Sequence, residues 1–243
     1  PSLPGYGFST KPAATGWGVE RIARAWIELM ARLRYDRYVA QGGDWGAVVT
    51  TLMGAQPPDA LAGIHLNMPL VTPAPPYENL SAAERAALAA YARYEAEESG
   101  YAREQMTRPQ TIGYALADSP VGQAAWIYEK FHAWTDCDGD PRNVLSLDEL
   151  LDNIMLYWLP GNGASSARLY WESMRSFRTM RVEIPVGCST FPKELVRAPR
   201  SWADRAFPQI VHWNELERGG HFAAFERPEE FVKELRAFGS KLR

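Results

Sequence analysis

The sequence predicts an α/β fold, built as one domain with a helical insertion. Its 243 residues are 46% hydrophobic, enough to bury one large core. Helical and strand-like segments alternate near both ends of the chain, which is typical of a mostly parallel sheet flanked by helices. Between about residues 78 and 180 the periodicity is helical instead. We therefore predict a first core part at residues 1–70, a helical cap at 71–180 and a second core part at 181–243.

The first core part is predicted to contain two helices and two short strands around a glycine-rich turn. Between residues 18 and 33 apolar residues recur at helical spacing with charged residues opposite them, which predicts an amphipathic helix. Residues 38–40 predict a short buried strand that leads into the turn at 42–46. A second helix is predicted at 47–55, where two prolines end it, and a second strand at 62–67.

The cap and the second core part are predicted from the same periodicities. Helical segments are predicted in the cap at residues 82–99, 122–134, 147–159 and 165–174. The second core part is predicted to contain, in order, strand, helix, strand and helix, at residues 182–190, 201–206, 209–214 and 228 to about 238. The N-terminus of the last helix has the residues typical of a helix start, because a proline and two glutamates occupy its first turn.

Composition argues against several classes of protein. The net charge is -3 and the 26 Lys and Arg residues are spread along the chain, so we expect no nucleic-acid partner. No apolar run approaches the roughly 18 to 20 residues that cross a bilayer, so we expect no membrane span. The two cysteines, Cys137 and Cys188, cannot form a disulfide framework and lack metal-ligand spacing. We expect no cofactor, no metal and a cytoplasmic location.

The turn Gly42-Gly43-Asp44-Trp45-Gly46 is the first candidate for chemistry. A nucleophile elbow is a sharp strand-to-helix turn with small residues two positions either side of the nucleophile, and this segment fits that pattern. A carboxylate at the apex attacks carbon directly and becomes an ester, without a base to deprotonate it first. Glycine and aspartate are also common in ordinary turns, which is the alternative interpretation. The position between a buried strand and a helix favours the elbow.

The segment Arg218-Gly219-Gly220-His221-Phe222 is the candidate for the base. It follows a predicted strand and precedes the last helix, and its glycines permit the backbone turns that present a side chain. The other three histidines, His65, His132 and His212, lack such a setting. We interpret them as core or surface residues.

A histidine base needs an acid to orient it, and the loop after the strand at 182–190 is where the chain order places one. That loop contains Phe191-Pro192-Lys193-Glu194 and so offers Glu194. A single glutamate is more often a solvated surface residue. Asp204 and a residue near Asn67 remain alternatives on the residues alone.

Taken together, the motifs resemble those of the microsomal-type epoxide hydrolases, which include the insect juvenile hormone epoxide hydrolases and fungal and bacterial relatives. The matching stretches run in family order through nearly the whole chain. They are Pro4-Gly5-Tyr6-Gly7-Phe8-Ser9, Gly42-Gly43-Asp44-Trp45-Gly46, Leu66-Asn67-Met68-Pro69, Ser99-Gly100-Tyr101, Asp118-Ser119-Pro120-Val121-Gly122, Arg168-Leu169-Tyr170, Phe191-Pro192-Lys193-Glu194 and Gly219-Gly220-His221-Phe222-Ala223-Ala224-Phe225-Glu226.

The resemblance implies an α/β-hydrolase core and a mechanism in two steps. Asp44 is implied as the nucleophile that opens an epoxide and forms an ester. His221, oriented by Glu194, is implied as the base that activates water to hydrolyse this ester, so that a vicinal diol leaves.

The resemblance also implies residues that stabilise the developing negative charges. Two cap tyrosines of the family, which hold the epoxide oxygen, match Tyr101 and Tyr170. A phenol can hydrogen-bond this oxygen and supply a proton as the ring opens. The backbone N–H of Trp45, directly after the nucleophile, is implied as one donor of the oxyanion hole.

The family's second oxyanion donor comes from a His-Gly-x-Pro loop upstream of the Pro-Gly-Tyr-Gly-Phe segment, and this sequence lacks that loop. The first strands of the sheet are missing with it. We therefore expect an N-terminal segment or a separate chain to complete the fold. The sequence leaves open whether the protein is a homo-oligomer.

Two other functions compete with this interpretation. A haloalkane or haloacid dehalogenase of the same fold also uses an aspartate elbow, but it needs donors for a halide rather than phenols. A non-catalytic hydrolase-like binding module is the alternative from another class. The aromatic residues of the insertion suggest an apolar cavity, and hence aryl or alkyl epoxides, although such residues often only pack a lid: Trp126, Trp134, Tyr157, Trp158 and Trp171.

Overall fold

The computed structural model describes residues 1–72, 75, 77–173 and 176–243. Its sheet has four parallel strands in the order β1-β2-β3-β4, which are Tyr38–Gly42, Leu61–Leu66, Val186–Thr190 and Ile210–Glu215. Parallel neighbours require crossover connections, which helices provide here. The predicted α/β fold with a parallel sheet is confirmed.

Two helices of the first part pack on this sheet. Helix α1 (Val19–Arg32) buries the apolar face that its periodicity predicts, and helix α2 (Asp44–Ala55) follows β1 directly. Eight of the twelve residues of α2 are buried and none is exposed, because the helix lies between α1 and the strands. The predicted strand at 62–67 runs one residue earlier, from Leu61 to Leu66.

In the described part of the chain between β2 and β3 there are six α-helices. They are α3 (Ala82–Arg93), α4 (Gly100–Thr107), α5 (Pro109–Asp118), α6 (Pro120–Trp134), α7 (Leu147–Trp158) and α8 (Gly163–Ser173). Capping boxes start α3 at Ser81 and α7 at Ser146, and prolines occupy the first turns of α5 and α6.

The helical segments predicted for the cap need three corrections. The helix predicted at 82–99 ends at Arg93 and continues as a π-helical turn, Tyr94–Glu98. Helices α4 and α5 were not predicted. The helix predicted at 165–174 begins earlier, at Gly163, and its predicted end, Met174, lies outside the described residues. The domain boundaries at 70 and 180 remain a prediction.

The second core part contains β3, helix α9 (Arg200–Ala206), β4, a short helix α10 (Ala223–Glu226) and helix α11 (Pro228–Ser240). The strand predicted at 182–190 is shorter, because only Val186–Thr190 pairs with its neighbours. No helix among the described residues is long and apolar enough to cross a membrane.

The carboxyl ends of the strands all point to one edge of the sheet, because the strands are parallel. Asp44 follows β1, Glu194 follows β3 and His221 follows β4. Sites in folds of this kind form at this edge. The topology therefore brings three residues that are distant in sequence to one place.

Candidate active site

Asp44 lies at the apex of a tight turn between β1 and α2. Its backbone φ is 47°, in the left-handed region that residues other than glycine seldom adopt. A Cβ on Gly42 would lie 2.0 Å from the carbonyl oxygen of Gly46, and a Cβ on Gly43 would lie 2.5 Å from the side-chain oxygen of Asn67. The turn therefore requires glycine at position 42, where backbone atoms leave no room, whereas a side chain at position 43 would have to displace the side chain of Asn67.

Gly46, by contrast, has open space where a Cβ would lie. The expectation that the turn needs a small residue on both sides of Asp44 is thus met by Gly42 and not by Gly46. A side chain at position 42 would meet the backbone of residue 46, whereas a side chain at position 46 would point away from the turn.

Asp44, His221 and Glu194 form a hydrogen-bonded line. Nε2 of His221 lies 3.1 Å from Oδ2 of Asp44, and Nδ1 lies 2.7 Å from Oε1 of Glu194. The side chains of His221 and Glu194 are 6% and 1% exposed, whereas that of Asp44 is 39% exposed because it faces a cavity. The line places one imidazole between a buried and an accessible carboxylate.

The protonation of this line follows from its surroundings. Burial alone would lower the pKa of His221, but the charges and hydrogen bonds of Glu194 and Asp44 outweigh burial and raise the pKa to about 10. Burial opposes ionisation of Asp44, yet hydrogen bonds from His221 and from the N–H of Trp45, with the charge of His221, keep the pKa of Asp44 below its ordinary value. Asp44 is therefore a carboxylate at neutral pH.

The N–H of Trp45 lies where an oxyanion donor is expected. It donates to Oδ1 of Asp44 at 2.5 Å, from the first turn of α2. Oδ1 is thus held by the backbone, while Oδ2 faces His221. The two oxygens of the carboxylate have different environments.

The alternative acids of the sequence lie in other surroundings. Asp204 is about half exposed on α9 and lies 3.5 Å from Arg200, with which it pairs along the helix. The side chain of Asn67 accepts a hydrogen bond from Gln41 at 2.8 Å. Glu194 is the candidate that directly contacts His221.

The rings of Tyr101 on α4 and Tyr170 on α8 pack edge to face in the cavity that Asp44 also lines. Their ring centroids are 5.8 Å apart at 81°, and both residues line the cavity that contains Asp44 and His221. Burial is the main cause that raises the pKa of both phenols above the ordinary value of 10; for Tyr101 the effects of Tyr170 and then Asp44 add to it, and for Tyr170 the charge of Asp44 does. Both are protonated at neutral pH and can donate a hydrogen bond.

Two cavities meet at these residues. The larger, about 700 Å³, lies beneath α6 and α7. The smaller, about 220 Å³, lies beside α4 and is lined by Met68, Leu70 and Val71. Asp44, Trp45, Tyr101 and Tyr170 line both cavities. The nucleophile candidate is therefore accessible from two sides.

Most of the aromatic residues singled out in the sequence line the larger cavity. Trp126, Trp134 and Tyr157 do so, whereas Trp171 is half exposed on the surface of α8. Trp158 lies outside the described lining of both cavities.

Two residues of α6 contact the site: Trp134, which the sequence indicated only as a cavity or lid residue, and Lys130, which it did not indicate. The ring centroid of Trp134 lies 5.2 Å from those of both His221 and Tyr101. The ammonium of Lys130 lies 4.4 Å from the centroid of the Tyr101 ring and 4.8 Å from that of Trp134. A spacing of four residues puts both on one helix face, but nothing local shows what that face meets.

The described residues hold no group of three or more histidine, cysteine or acidic side chains that could bind a metal ion. Cys137 and Cys188 are both buried and unpaired with each other.

Comparisons with known proteins identify relatives of this chain. The family model for the alpha/beta hydrolase fold matches residues 1–106. A protein of Stigmatella aurantiaca (strain DW4/3-1), whose name places it provisionally among epoxide hydrolases, is 58% identical over 245 residues; these are 100% of this chain and 56% of that protein. Epoxide hydrolase 1 of Oryctolagus cuniculus is 37% identical over 266 residues, which are 98% of this chain and 58% of the relative. The chain spans a little over half the length of these relatives.

Solved structures agree with these matches. The juvenile hormone epoxide hydrolase of the silkworm Bombyx mori superposes with a TM-score of 0.88 at 35% identity, over 100% of this chain and 63% of that one. The epoxide hydrolase of Aspergillus niger superposes with a TM-score of 0.86 at 36% identity, over the same two shares. The similarity extends over both the sheet and the helices that connect β2 to β3.

Proposed function

We propose that this chain, which belongs to the microsomal-type epoxide hydrolase family of the α/β-hydrolase fold, converts an apolar epoxide and water into a vicinal diol through an ester on Asp44. The observation that carries the proposal is the line from Glu194 through His221 to Asp44, which ends beneath the phenols of Tyr101 and Tyr170.

In the first step Asp44 attacks a ring carbon of the epoxide. Oδ1 is held by the N–H of Trp45, so Oδ2 is the oxygen that forms the new C–O bond. As the carbon–oxygen bond of the ring breaks, its electron pair moves to the epoxide oxygen, which takes a proton from Tyr101 or Tyr170. The products of this step are a hydroxyalkyl ester and a phenolate that must regain a proton before the next turnover.

In the second step His221 acts as the base. Once Asp44 is an ester it carries no charge, so one of the two charges that raise the pKa of His221 is gone. The histidine then loses its proton more readily and can accept one from water. The resulting hydroxide attacks the ester carbonyl, and the charge that forms on Oδ1 is stabilised by the N–H of Trp45. When this intermediate collapses, the bond between the carbonyl carbon and the alkyl oxygen breaks, and the leaving oxygen of the diol takes the proton from His221. The carboxylic acid of Asp44 then gives its proton back to His221. The order of the steps thus follows from the charge of Asp44.

The walls of the larger cavity support an apolar substrate. Aromatic and aliphatic side chains such as Trp126, Ile127 and Phe225 make up much of its lining. Cavities of this size, lined mainly by apolar groups with a few polar ones, suit small organic ligands. We infer that aryl or alkyl epoxides are the substrate class.

A single turnover in ¹⁸O-labelled water tests the mechanism. Excess protein reacts with styrene oxide, the protein is digested, and the mass of the peptide that contains Asp44 is measured by mass spectrometry. We expect ¹⁸O in the carboxylate of Asp44 and unlabelled oxygen from Asp44 in the diol, because water attacks the carbonyl of the ester. Label in the diol alone would mean direct attack of water and would contradict the ester mechanism.

The Asp44→Asn variant is the control, and it should give neither label nor diol. The same experiment separates the two competing functions. Halide release from a haloalkane, with no diol from styrene oxide, would indicate a dehalogenase. An absence of both products would indicate a binding module.

A further inference from the structure

The backbone of the loop that presents His221 is held by two buried carboxylates and one carbonyl. The N–H of Gly219 donates to Oδ2 of Asp136 at 3.0 Å, and the N–H of Gly220 donates to Oε1 of Glu226 at 2.9 Å. The N–H of His221 donates to the carbonyl of Trp134 at 2.8 Å. Three successive N–H groups, up to the histidine itself, therefore have partners outside the loop.

The two carboxylates are also linked to each other. Oε2 of Glu226 accepts the backbone N–H of Asp136 at 2.8 Å, so one side chain joins the segment after α6 to the histidine loop. Asp136 and Glu226 are 7% and 6% exposed, and burying a carboxylate is costly unless it accepts hydrogen bonds. The carboxylate oxygens of both residues accept hydrogen bonds from the backbone of the histidine loop, and Glu226 also accepts one from the segment after α6. We call Asp136 and Glu226 the carboxylate clamp.

The fit between the loop and the cap is close. A Cβ on Gly220 would lie 2.3 Å from the carbonyl oxygen of Trp134, so the loop lies directly against the end of α6. The Trp134 ring in turn contacts the rings of both His221 and Tyr101. The clamp therefore lies where the cap meets the base.

We propose that Asp136 and Glu226 are positioning residues for His221, and that through them the end of α6 sets the placement of His221 over Asp44. This inference rests on the proposed function, since it concerns the hydrolysis of the ester on Asp44. Neither residue lies among those that line the two cavities, so their effect on the reaction passes through the loop backbone.

The two steps of the reaction give this role a specific signature. Ester formation needs Asp44 and the tyrosines, whereas ester hydrolysis needs His221 at the right distance. A displacement of a catalytic group by about 1 Å can cost on the order of 100-fold in rate. Loosening the clamp should therefore slow hydrolysis and leave ester formation nearly unchanged.

The experiment uses the Glu226→Gln variant of the whole chain. The amide nitrogen of glutamine cannot accept a hydrogen bond, so either Asp136 or Gly220 loses its acceptor. Single turnovers with styrene oxide are stopped in acid at short intervals, and the ester on the protein is measured by mass. We expect the decay of the ester to slow by about 10- to 100-fold, while its formation changes by less than about 3-fold.

The matched control is Glu234→Gln. Glu234 is a buried glutamate on α11, 5% exposed, that also accepts several hydrogen bonds but does not contact the histidine loop. Both rates should be unchanged in this control. Partial unfolding of a variant does not affect the comparison, because only folded molecules form the ester whose decay is measured.

A second pair of variants tests the other half of the clamp. Asp136→Ala removes the acceptor of the Gly219 N–H and should slow ester decay, whereas Asp136→Asn keeps an acceptor oxygen and should restore most of the rate. If the ester decays at the wild-type rate in Glu226→Gln, or if both steps slow equally, the positioning role of the clamp is wrong, while the proposed function is not affected. Absence of any ester in the wild-type chain would overturn the proposed function and, with it, this role.

Discussion

We predict that His65 makes the stability of this protein depend on pH. It is completely buried on β2, where its Nε2 lies 3.0 Å from Oγ of Ser189. The hydroxyl of Ser189 donates to Glu234, so it accepts a hydrogen bond from His65, whose Nε2 therefore carries a proton. Its Nδ1 has no hydrogen-bond partner among the described residues. A second proton on this ring would have no acceptor.

The size of the effect follows from the pKa difference between the folded and unfolded chain. Burial, followed by the charge of His212, lowers the pKa of His65 to about 4, from an ordinary value of 6.5. Below pH 6.5 the unfolded chain binds a proton that the folded chain does not, so the free energy of unfolding falls as the pH decreases. With about 1.36 kcal/mol per pKa unit, the loss between pH 7.5 and pH 5.5 is about 1.3 kcal/mol.

Urea denaturation at the two pH values measures this loss. Other groups also titrate in this range, so the quantity to compare is the difference between the wild type and His65→Gln, which keeps a donor near Ser189 but does not titrate. We expect the fall in the free energy of unfolding between the two pH values to be about 1.3 kcal/mol smaller in the variant than in the wild type. In a thermal denaturation this difference corresponds to a Tm shift of roughly 3 to 5 °C. His132→Gln, at an exposed histidine on α6, should leave the loss as it is in the wild type. Equal losses in wild type and His65→Gln would refute the reasoning.

Three further predictions concern the site and the elbow. Glu194→Gln should slow ester hydrolysis by about 10²- to 10⁴-fold and make the ester accumulate, because the base His221 loses its buried charged partner. Mass measurements during turnover would detect the accumulated ester. A steady-state ester level equal to that of the wild type would contradict the role of Glu194. Tyr101→Phe and Tyr170→Phe should each slow ester formation by about 10- to 100-fold with hydrolysis little changed, as rapid-quench rates would show; a loss confined to hydrolysis would be inconsistent with proton donation. Gly42→Ala should prevent correct folding, whereas Gly46→Ala should be tolerated and should add about 0.5 to 1 kcal/mol to the free energy of unfolding. Soluble yield and urea denaturation measure the two effects. Similar behaviour of the two variants would count against the steric argument.

Much of the fold could be predicted because its signals are local. The amphipathic face of α1 and the short strands follow from periodicity, and β1 and α2 are recognised by the glycines between them. Helices α4 and α5 could not be predicted in the same way. They are short, and Pro109 separates them, so no long periodic pattern develops. Their stability comes from packing on α8, which is a tertiary effect.

The site was predictable only in part, for the same reason. Asp44 and His221 stand beside glycines that mark unusual backbone, which is a local signal. Tyr101 and Tyr170 resemble any of the eleven tyrosines until the family resemblance selects them. Asp136 and Glu226 carry no local mark of their role, because what they bind is the backbone of another segment.

The two cavities that meet at Asp44 have a stereochemical consequence. Under the proposed function, an epoxide at Asp44 would have a space of about 700 Å³ on one side of its ring and a space of about 220 Å³ on the other. A molecule with one small group and one group too large for the smaller space fits with the large group in the larger space only. Its mirror image, placed with the same group in the same space, presents the other face of the ring carbon to Oδ2. If the chain acts on epoxides as proposed, the unequal volumes should make the two enantiomers of such an epoxide different substrates.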